Sequence, residues 1–249
     1  MNILVSGING QMGKEVAILC KNGYRGASLA CGVDLVPSSS EDVTVYKSFD
    51  EIREEKIDCI VDFSHHSAVK ALLDFAVFRG IPTVVATTGH TKDELDAINR
   101  AAEKIAVFFS ANMSLGVALL VELAKTAALA MPDAEIEIIE KHHNRKLDAP
   151  SGTALMISSA IKEVRPTAYE NFGRSGQGKR CSDEIGIHAI RMGNIVGEHE
   201  VIIGTQTQTI TLKHEAHSRT LFAEGAIAAA AFIVTRPTGL YDMKSLVGG

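Results

Sequence analysis

Asn2-Ile3-Leu4-Val5-Ser6-Gly7-Ile8-Asn9-Gly10-Gln11-Met12-Gly13 is an apolar run that breaks into glycines and then into a helical pattern. Residues 2–6 read as a buried strand and 11–22 as a helix, with the glycines between them in a G-x-x-G-x-x-G spacing. At such a corner glycines permit a tight turn, let the backbone approach a pyrophosphate, and aim a helix N-terminus at it. Asp34 ends the next candidate strand about twenty residues beyond Gly13, where an acidic side chain takes ribose hydroxyls. A glycine turn that binds no cofactor is the alternative. The strand–turn–helix–strand setting and the acid favour a dinucleotide.

The same rhythm runs through the first 110 residues. Short apolar runs at 28–33, 59–63, 83–87 and 106–110 read as parallel strands covered on both faces. Helical patterns at 67–79 and 91–103 lie between them, the second opening on Thr91-x-x-Glu94, a capping box. The interval 37–50 is irregular. Alternation of this kind predicts an α/β fold, a Rossmann-like doubly wound parallel sheet.

After Asn112 the pattern changes. Residues 114–130 read as one long apolar helix and 133–141 as a half-exposed strand. A second helix is expected at 154–164, a mobile loop rich in glycine and charge at 171–184, strands at 185–191 and 198–213, and a helix at 219–235. This predicts a second, smaller α+β domain at 114–218, with 1–113 and 219–249 forming the dinucleotide-binding domain.

Composition narrows the function. A formal net charge of −5 over 249 residues gives no reason to expect nucleic acid or an anionic membrane as partner. Apolar residues make up 46%, enough for a core, yet no apolar run reaches membrane-spanning length. Cys20, Cys31, Cys59 and Cys181 are scattered and His65, His66, His90 and His188 fit no ligand spacing, so no metal site is expected. Without a signal-peptide pattern, the expected location is cytoplasmic.

Against that background Glu140-Lys-His-His-Asn-Arg-Lys-Leu-Asp-Ala-Pro-Ser-Gly-Thr-Ala154 stands out. It sets two histidines, an arginine and a lysine between a strand end and a helix start, where exposed N–H groups and the helix dipole favour an anion. The combination suits a small polycarboxylate and a proton transfer. A solvated charged loop with Ser151 as an ordinary N-cap is the alternative. A second string, Gly173-Arg-Ser-Gly-Gln-Gly-Lys179, matches the start of a P-loop. Arg180 stands where Ser or Thr would bind magnesium, no apolar strand precedes it, and it reads as a flexible basic loop.

Taken together, the residues resemble the 4-hydroxy-tetrahydrodipicolinate reductase (dihydrodipicolinate reductase) family nearly end to end. The resemblance rests on the glycine fingerprint, Ala86-Thr87-Thr88-Gly89, Ser110-Ala-Asn112-Met113-Ser-Leu-Gly116, and Glu140-x-His142-His143-x-x-Lys146-x-Asp148-Ala-Pro-Ser151-Gly152-Thr153-Ala154. It continues through Glu184-Ile-Gly186, Arg191-x-Gly193-x-x-x-Gly197-Glu-His-Glu200 and His214-x-Ala216-x-x-Arg219. The resemblance implies an NAD(P)H-dependent reduction of a small dicarboxylate in diaminopimelate and lysine biosynthesis. It implies catalysis by His142 and Lys146, and substrate binding by His143, Ser151, Gly152 and Thr153. The implied cofactor residues are Gly7, Asn9, Gly10, Gln11, Met12, Gly13, Asp34, Phe63, Ala86, Thr87, Thr88, Gly89, Ser110, Asn112 and Met113. It further implies a homotetramer joined through the substrate domain. Which of His142 and Lys146 delivers the proton stays open at this point.

Three positions depart from the family pattern. Gln11 replaces an arginine often found in the glycine loop, Ala86 stands where glycine is usual, and Leu35 follows Asp34 where several relatives carry a basic residue. An acid repels a 2′-phosphate and accepts from free ribose hydroxyls, so these losses of positive charge lean towards NADH, with dual use of NADPH open through Lys47. Two other readings compete: another NAD(P)-dependent oxidoreductase of a small dicarboxylate, and a dinucleotide-binding regulator without chemistry.

Overall fold

A computed structural model of the chain describes residues 1–37 and 43–248. Residues 38–42, inside the interval expected to be irregular, lie outside the described residues. The chain divides into two compact units, Met1–Leu115 with Arg219–Gly249, and Gly116–Ser218.

The first unit begins with β1 (Asn2–Ser6), α1 (Gln11–Lys21), β2 (Ser28–Val33), β3 (Val45–Tyr46), β4 (Cys59–Asp62), α2 (Val69–Arg79), β5 (Thr83–Val85), α3 (Lys92–Ala102) and β6 (Ala106–Phe109). β3 falls in the stretch read as irregular, being too short to show a period. Strands β4, β5 and β6 stop one or two residues before their expected ends. Phe63, Ala86, Thr87 and Ser110 have turned out of the sheet at its carboxyl edge. The capping box forms as expected: Thr91 caps α3 by accepting from the Glu94 N–H, and the Glu94 carboxylate accepts from the Thr91 N–H. Burial of Leu4, Ile60, Val85 and Val107 against Leu72, Leu73 and Ile98 seals the sheet face under α2 and α3. Each such side chain contributes about 1.5–3 kcal/mol.

The second unit is built on α4 (Leu115–Ala130), whose first residue belongs to the first unit. It continues with β7 (Glu135–His142), α5 (Gly152–Val164), β8 (Tyr169–Phe172), β9 (Glu184–Arg191), β10 (Gly197–Gly204) and β11 (Thr209–Ala216). Its five-stranded mixed sheet has the order β11-β10-β7-β9-β8. β7, β8 and β9 run parallel, and β10 is antiparallel to β7 and β11. Ile136 and Ile138 of β7, Ile185 and Ile187 of β9, and Val201 and Ile203 of β10 face a core closed by Leu120, Val121, Ile157 and Ile161 of the helices.

Two expectations are corrected here. The stretch 198–213 is not one strand but most of a hairpin, turned where the Thr205 N–H donates to the Gln208 carbonyl at 2.8 Å. The Thr/Gln alternation runs through this turn and hides it. The stretch 171–184 is not wholly loop either. Its first two residues end strand β8, and Arg174 pairs with Glu184, whose carboxylate is buried. Arg180 donates to the carbonyls of Ile136 and Glu184.

The chain then returns to the first unit through α6 (Thr220–Ile233), β12 (Gly239–Tyr241) and α7 (Met243–Val247). α6 is rich in alanine and packs on β4, β5, β6 and α1. β12 joins β6 and completes a seven-stranded parallel sheet of order β12-β6-β5-β4-β1-β2-β3. Strand order reverses at β1, which lies between β2 and β4. In doubly wound folds the crevice at the carboxyl ends of such a switch point is where ligands bind. No helix among the described residues is long and apolar enough to cross a membrane.

Candidate active site

At the switch point the turn after β1 is shaped by contacts only glycine allows. Gly7 has φ +77°, and a Cβ there would lie 2.7 Å from the Ser64 Cα. A Cβ on Gly13 would lie 2.0 Å from the Gly7 carbonyl oxygen. α1 starts after Gly10 with no side-chain cap, leaving its first-turn N–H groups for a ligand. Asn9 ties this turn to the end of β2: its N–H donates to Asp34 Oδ2 at 3.0 Å and its side-chain amide to the Val36 carbonyl at 2.6 Å. Gln11 is exposed and accepts from Arg219 at 3.2 Å, and Met12 is half-buried. A groove of about 690 Å³ runs from Gly7 and Gly10 past Asp34, Leu35 and Lys47 to Phe63 and His65. A cradle that a Cβ would fill, a helix start without a cap and a carboxylate at the groove wall fit a dinucleotide.

A second depression of about 300 Å³ lies between Phe63, Ser64, His66, Ala86, Thr87 and Thr88. Beneath it sits Asp62, fully buried at the end of β4. Its carboxylate accepts from Thr87 Oγ1 at 2.6 Å and from Ser64 Oγ at 2.6 Å, joining the ends of β4 and β5. Asp62 was not among the expected site residues, although a carboxylate closing the run Cys59-Ile-Val is a legible signal. Gly89 follows with φ +84°. Ser110 Oγ donates to the Asn112 carbonyl, and Asn112 Oδ1 accepts from the Ser114 N–H. Met113 is buried, its carbonyl against Gly225 of α6, where a Cβ would come within 1.7 Å. Of the histidines read as fitting no ligand set, His65, His66 and His90 lie in this region, while His188 pairs with Glu137 in the second unit. His66 pairs with Glu94 at 2.9 Å, and the His65 and His66 rings lie 4.1 Å apart. No group that could hold a metal exists among the described residues.

In the second unit, alternation along β7 places Glu140 inward after Ile136 and Ile138, and the carboxylate is fully buried. It accepts from His142 Nδ1 at 2.6 Å, from two Arg191 nitrogens at 2.7 and 2.6 Å, and from the Ser151 N–H at 2.9 Å. Burial pushes this carboxyl up, but the donors outweigh it and hold it at about 2. Opposite Glu140 on β10 stands His199, also buried, with Nε2 3.0 Å from Ser151 Oγ and its ring 5.2 Å from that of His142. Burial, reinforced by the neighbouring His142, lowers His199 to about 4.

The cationic loop joins this cluster to α5. The Lys146 N–H donates to the His143 carbonyl at 3.1 Å, and its ammonium pairs with Asp148 at 2.8 Å. Arg191 also donates to the Asp148 carbonyl. Ser151 is the N-cap of α5, accepting from the Ala154 N–H, while Gly152 is exposed and Thr153 half-buried in the first turn. Arg145 lies on the surface against Asn194. Among the expected residues, His142 and Ser151 are therefore joined through Glu140, and His143 and Lys146 through one turn. Glu140, Arg191 and His199 carry the cluster without having been expected to. They stand in the motifs, but their inward direction follows from strand pairing.

A doubly wound sheet with a glycine cradle at its switch point, followed in the chain by a mixed-sheet unit with a buried histidine–carboxylate cluster, defines a nicotinamide-dinucleotide oxidoreductase of the two-unit type. Family models described as "Dihydrodipicolinate reductase, N-terminus" and "Dihydrodipicolinate reductase, C-terminus" match residues 1–113 and 116–247. The chain is 45% identical to the 4-hydroxy-tetrahydrodipicolinate reductase of Caldanaerobacter subterraneus subsp. tengcongensis, covering 99% of this chain and 98% of that one. It is 42% identical to the same enzyme of Alkaliphilus metalliredigens, covering 100% and 99%. Among solved structures, the dipicolinate-bound dihydrodipicolinate reductase of Paenisporosarcina sp. TG-14 superposes with a TM-score of 0.84 at 26% identity, covering 98% of each chain. The chain belongs to the dihydrodipicolinate reductase family.

Proposed function

We propose that this chain reduces the dehydrated form of 4-hydroxy-tetrahydrodipicolinate to tetrahydrodipicolinate, as a cytoplasmic biosynthetic enzyme assembled as a homotetramer through residues 114–218. The observation that carries the reading is the Glu140 cluster. It holds a histidine and an uncharged helix-start turn together, beside a cationic loop, in a chain with the glycine cradle of a dinucleotide site. The relative bound to dipicolinate supports a small dicarboxylate as substrate.

A bound NAD(P)H supplies the hydride. Residues 1–113 and 219–249 hold it: the Gly7–Gly10–Gly13 turn takes the pyrophosphate and Asp34 the ribose, with Thr87, Thr88 and Gly89 at the nicotinamide end. In residues 114–218, Ser151, Gly152 and Thr153 take a ring carboxylate on first-turn N–H groups and the Ser151 hydroxyl. His143 orients the ring, Lys146 offsets its negative charge, and His142 with Lys146 delivers the proton. NADH is preferred, because the Asp34 carboxylate repels a 2′-phosphate and exposed Leu35 offers it no donor. Lys47 on the same groove leaves NADPH usable.

The test is a coupled assay in which the upstream synthase supplies substrate and loss of reduced-nicotinamide absorbance is followed with each nucleotide. No oxidation of either would overturn the reading, and a higher kcat/KM with NADPH would overturn the preference. Lys146→Ala is expected to lower kcat by roughly 10²-fold or more with nucleotide affinity nearly unchanged.

A further inference from the structure

Glu140 occupies a position where β7 otherwise places isoleucine. A carboxylate removed from water there is costly unless its oxygens are fully paired. The bidentate Arg191 contact alone would neutralise it, yet two more donors converge on it from different elements. One is His142 Nδ1, from the end of the same strand, and the other is the Ser151 N–H at the start of α5. An ionised carboxylate only accepts, so the ring nitrogen 2.6 Å away must carry the proton. The other ring nitrogen is given room: a Cβ on Gly197 would stand 3.1 Å from His142 Nε2. The charged or titratable groups around the ring are Glu140 on β7, Arg191 on β9, His199 on β10 and Lys146 on the loop. His199 has its own hydrogen bond to Ser151 and does not compete for Nδ1.

We infer that Glu140 is a positioning residue: it holds His142 in the Nδ1–H tautomer, makes Nε2 the atom that exchanges a proton, and through the Ser151 N–H sets that atom against the anion-binding turn. This rests on the reductase reading for its catalytic meaning, while the tautomer does not depend on it. Glu140 is fully buried behind His142 and Ser151 and acts through them. The same carboxylate therefore fixes the proton-handling group and the carboxylate-binding group in one frame.

The experiment has two arms on the full-length protein. Two-bond proton–nitrogen spectra of the ¹⁵N-labelled chain at alkaline pH, with His142 assigned by its loss in His142→Ala, report the tautomer without any turnover. The expected signature is Nδ1–H in the wild type, lost in Glu140→Gln. In the coupled assay Glu140→Gln is expected to lower kcat by roughly 10²-fold with nucleotide KM within about twofold. In the His142→Ala background the same change is expected to cost about tenfold or less, because the part that passes through the ring is gone and only the part through the Ser151 N–H remains. A wild-type Nε2–H tautomer, or an equal loss in both backgrounds, overturns the inference. If Glu140→Gln does not fold, the wild-type spectrum decides alone. If the wild type does not turn over, the reductase reading fails while the spectrum still judges the positioning.

Discussion

Single residues here do work that their immediate neighbours in sequence do not reveal. Glu140 and His199 face each other across β7 and β10, and both titrate out of their ordinary ranges. The Glu140 carboxyl stands at about 2 in the folded chain against 4.5 ordinarily, so the stability it contributes is present above 4.5 and lost as pH falls towards 2. His199, buried neutral at about 4 against 6.5, contributes stability that is present above 6.5 and lost as pH falls towards 4. Acid is therefore expected to weaken the fold in two overlapping stages. In His199→Gln the urea midpoint should be flatter over the upper stage and still fall over the lower one. Parallel curves for variant and wild type would remove His199 from the account. Gly13→Ala places a methyl group 2.0 Å from the Gly7 carbonyl oxygen and is expected to abolish NADH binding in a calorimetric titration.

Elements were legible where their period was long enough to repeat. β1 and β2 match their expected bounds, and α3 shows its capping box in four residues of sequence. Thr91→Ala removes that cap and is expected to cost about 1 kcal/mol in chemical denaturation. A loss below a few tenths would mean that tertiary packing alone holds the helix start. β3, β8 and β12 escape the sequence reading because strands of two to four residues carry too little alternation to separate from loop and, unlike the equally short β4, β5 and β6, do not lie in a continuous apolar run. Their existence follows from partners already in place: β12 from the free edge of β6, and β8 from that of β9. The turn between β10 and β11 was missed for the opposite reason, since a strand-like polar period ran through it.

For the whole molecule, a dinucleotide bound by the native chain alone must raise its stability by mass action. At roughly 100-fold above Kd, NADH is expected to add about 2.7 kcal/mol, read as a rise in the thermal midpoint that Gly13→Ala suppresses. Equal shifts in wild type and variant would place the nucleotide elsewhere. The proposed homotetramer is checked by sedimentation equilibrium, where a monomer at micromolar concentration would refute it.

The sequence by itself determined the doubly wound sheet, the cradle, the family and the cationic stretch, because glycine spacing, strand period and ordered motifs are local along the chain. Tertiary structure alone decided what that stretch is built around. The inward direction of Glu140, its pairing with Arg191 from β9, and the meeting of His199 with Ser151 depend on register between strands some fifty residues apart. The same holds for Asp62, which reaches Thr87 only because β4 and β5 lie side by side. A buried charge is tolerated only where distant segments bring donors to it, and no local pattern encodes that convergence.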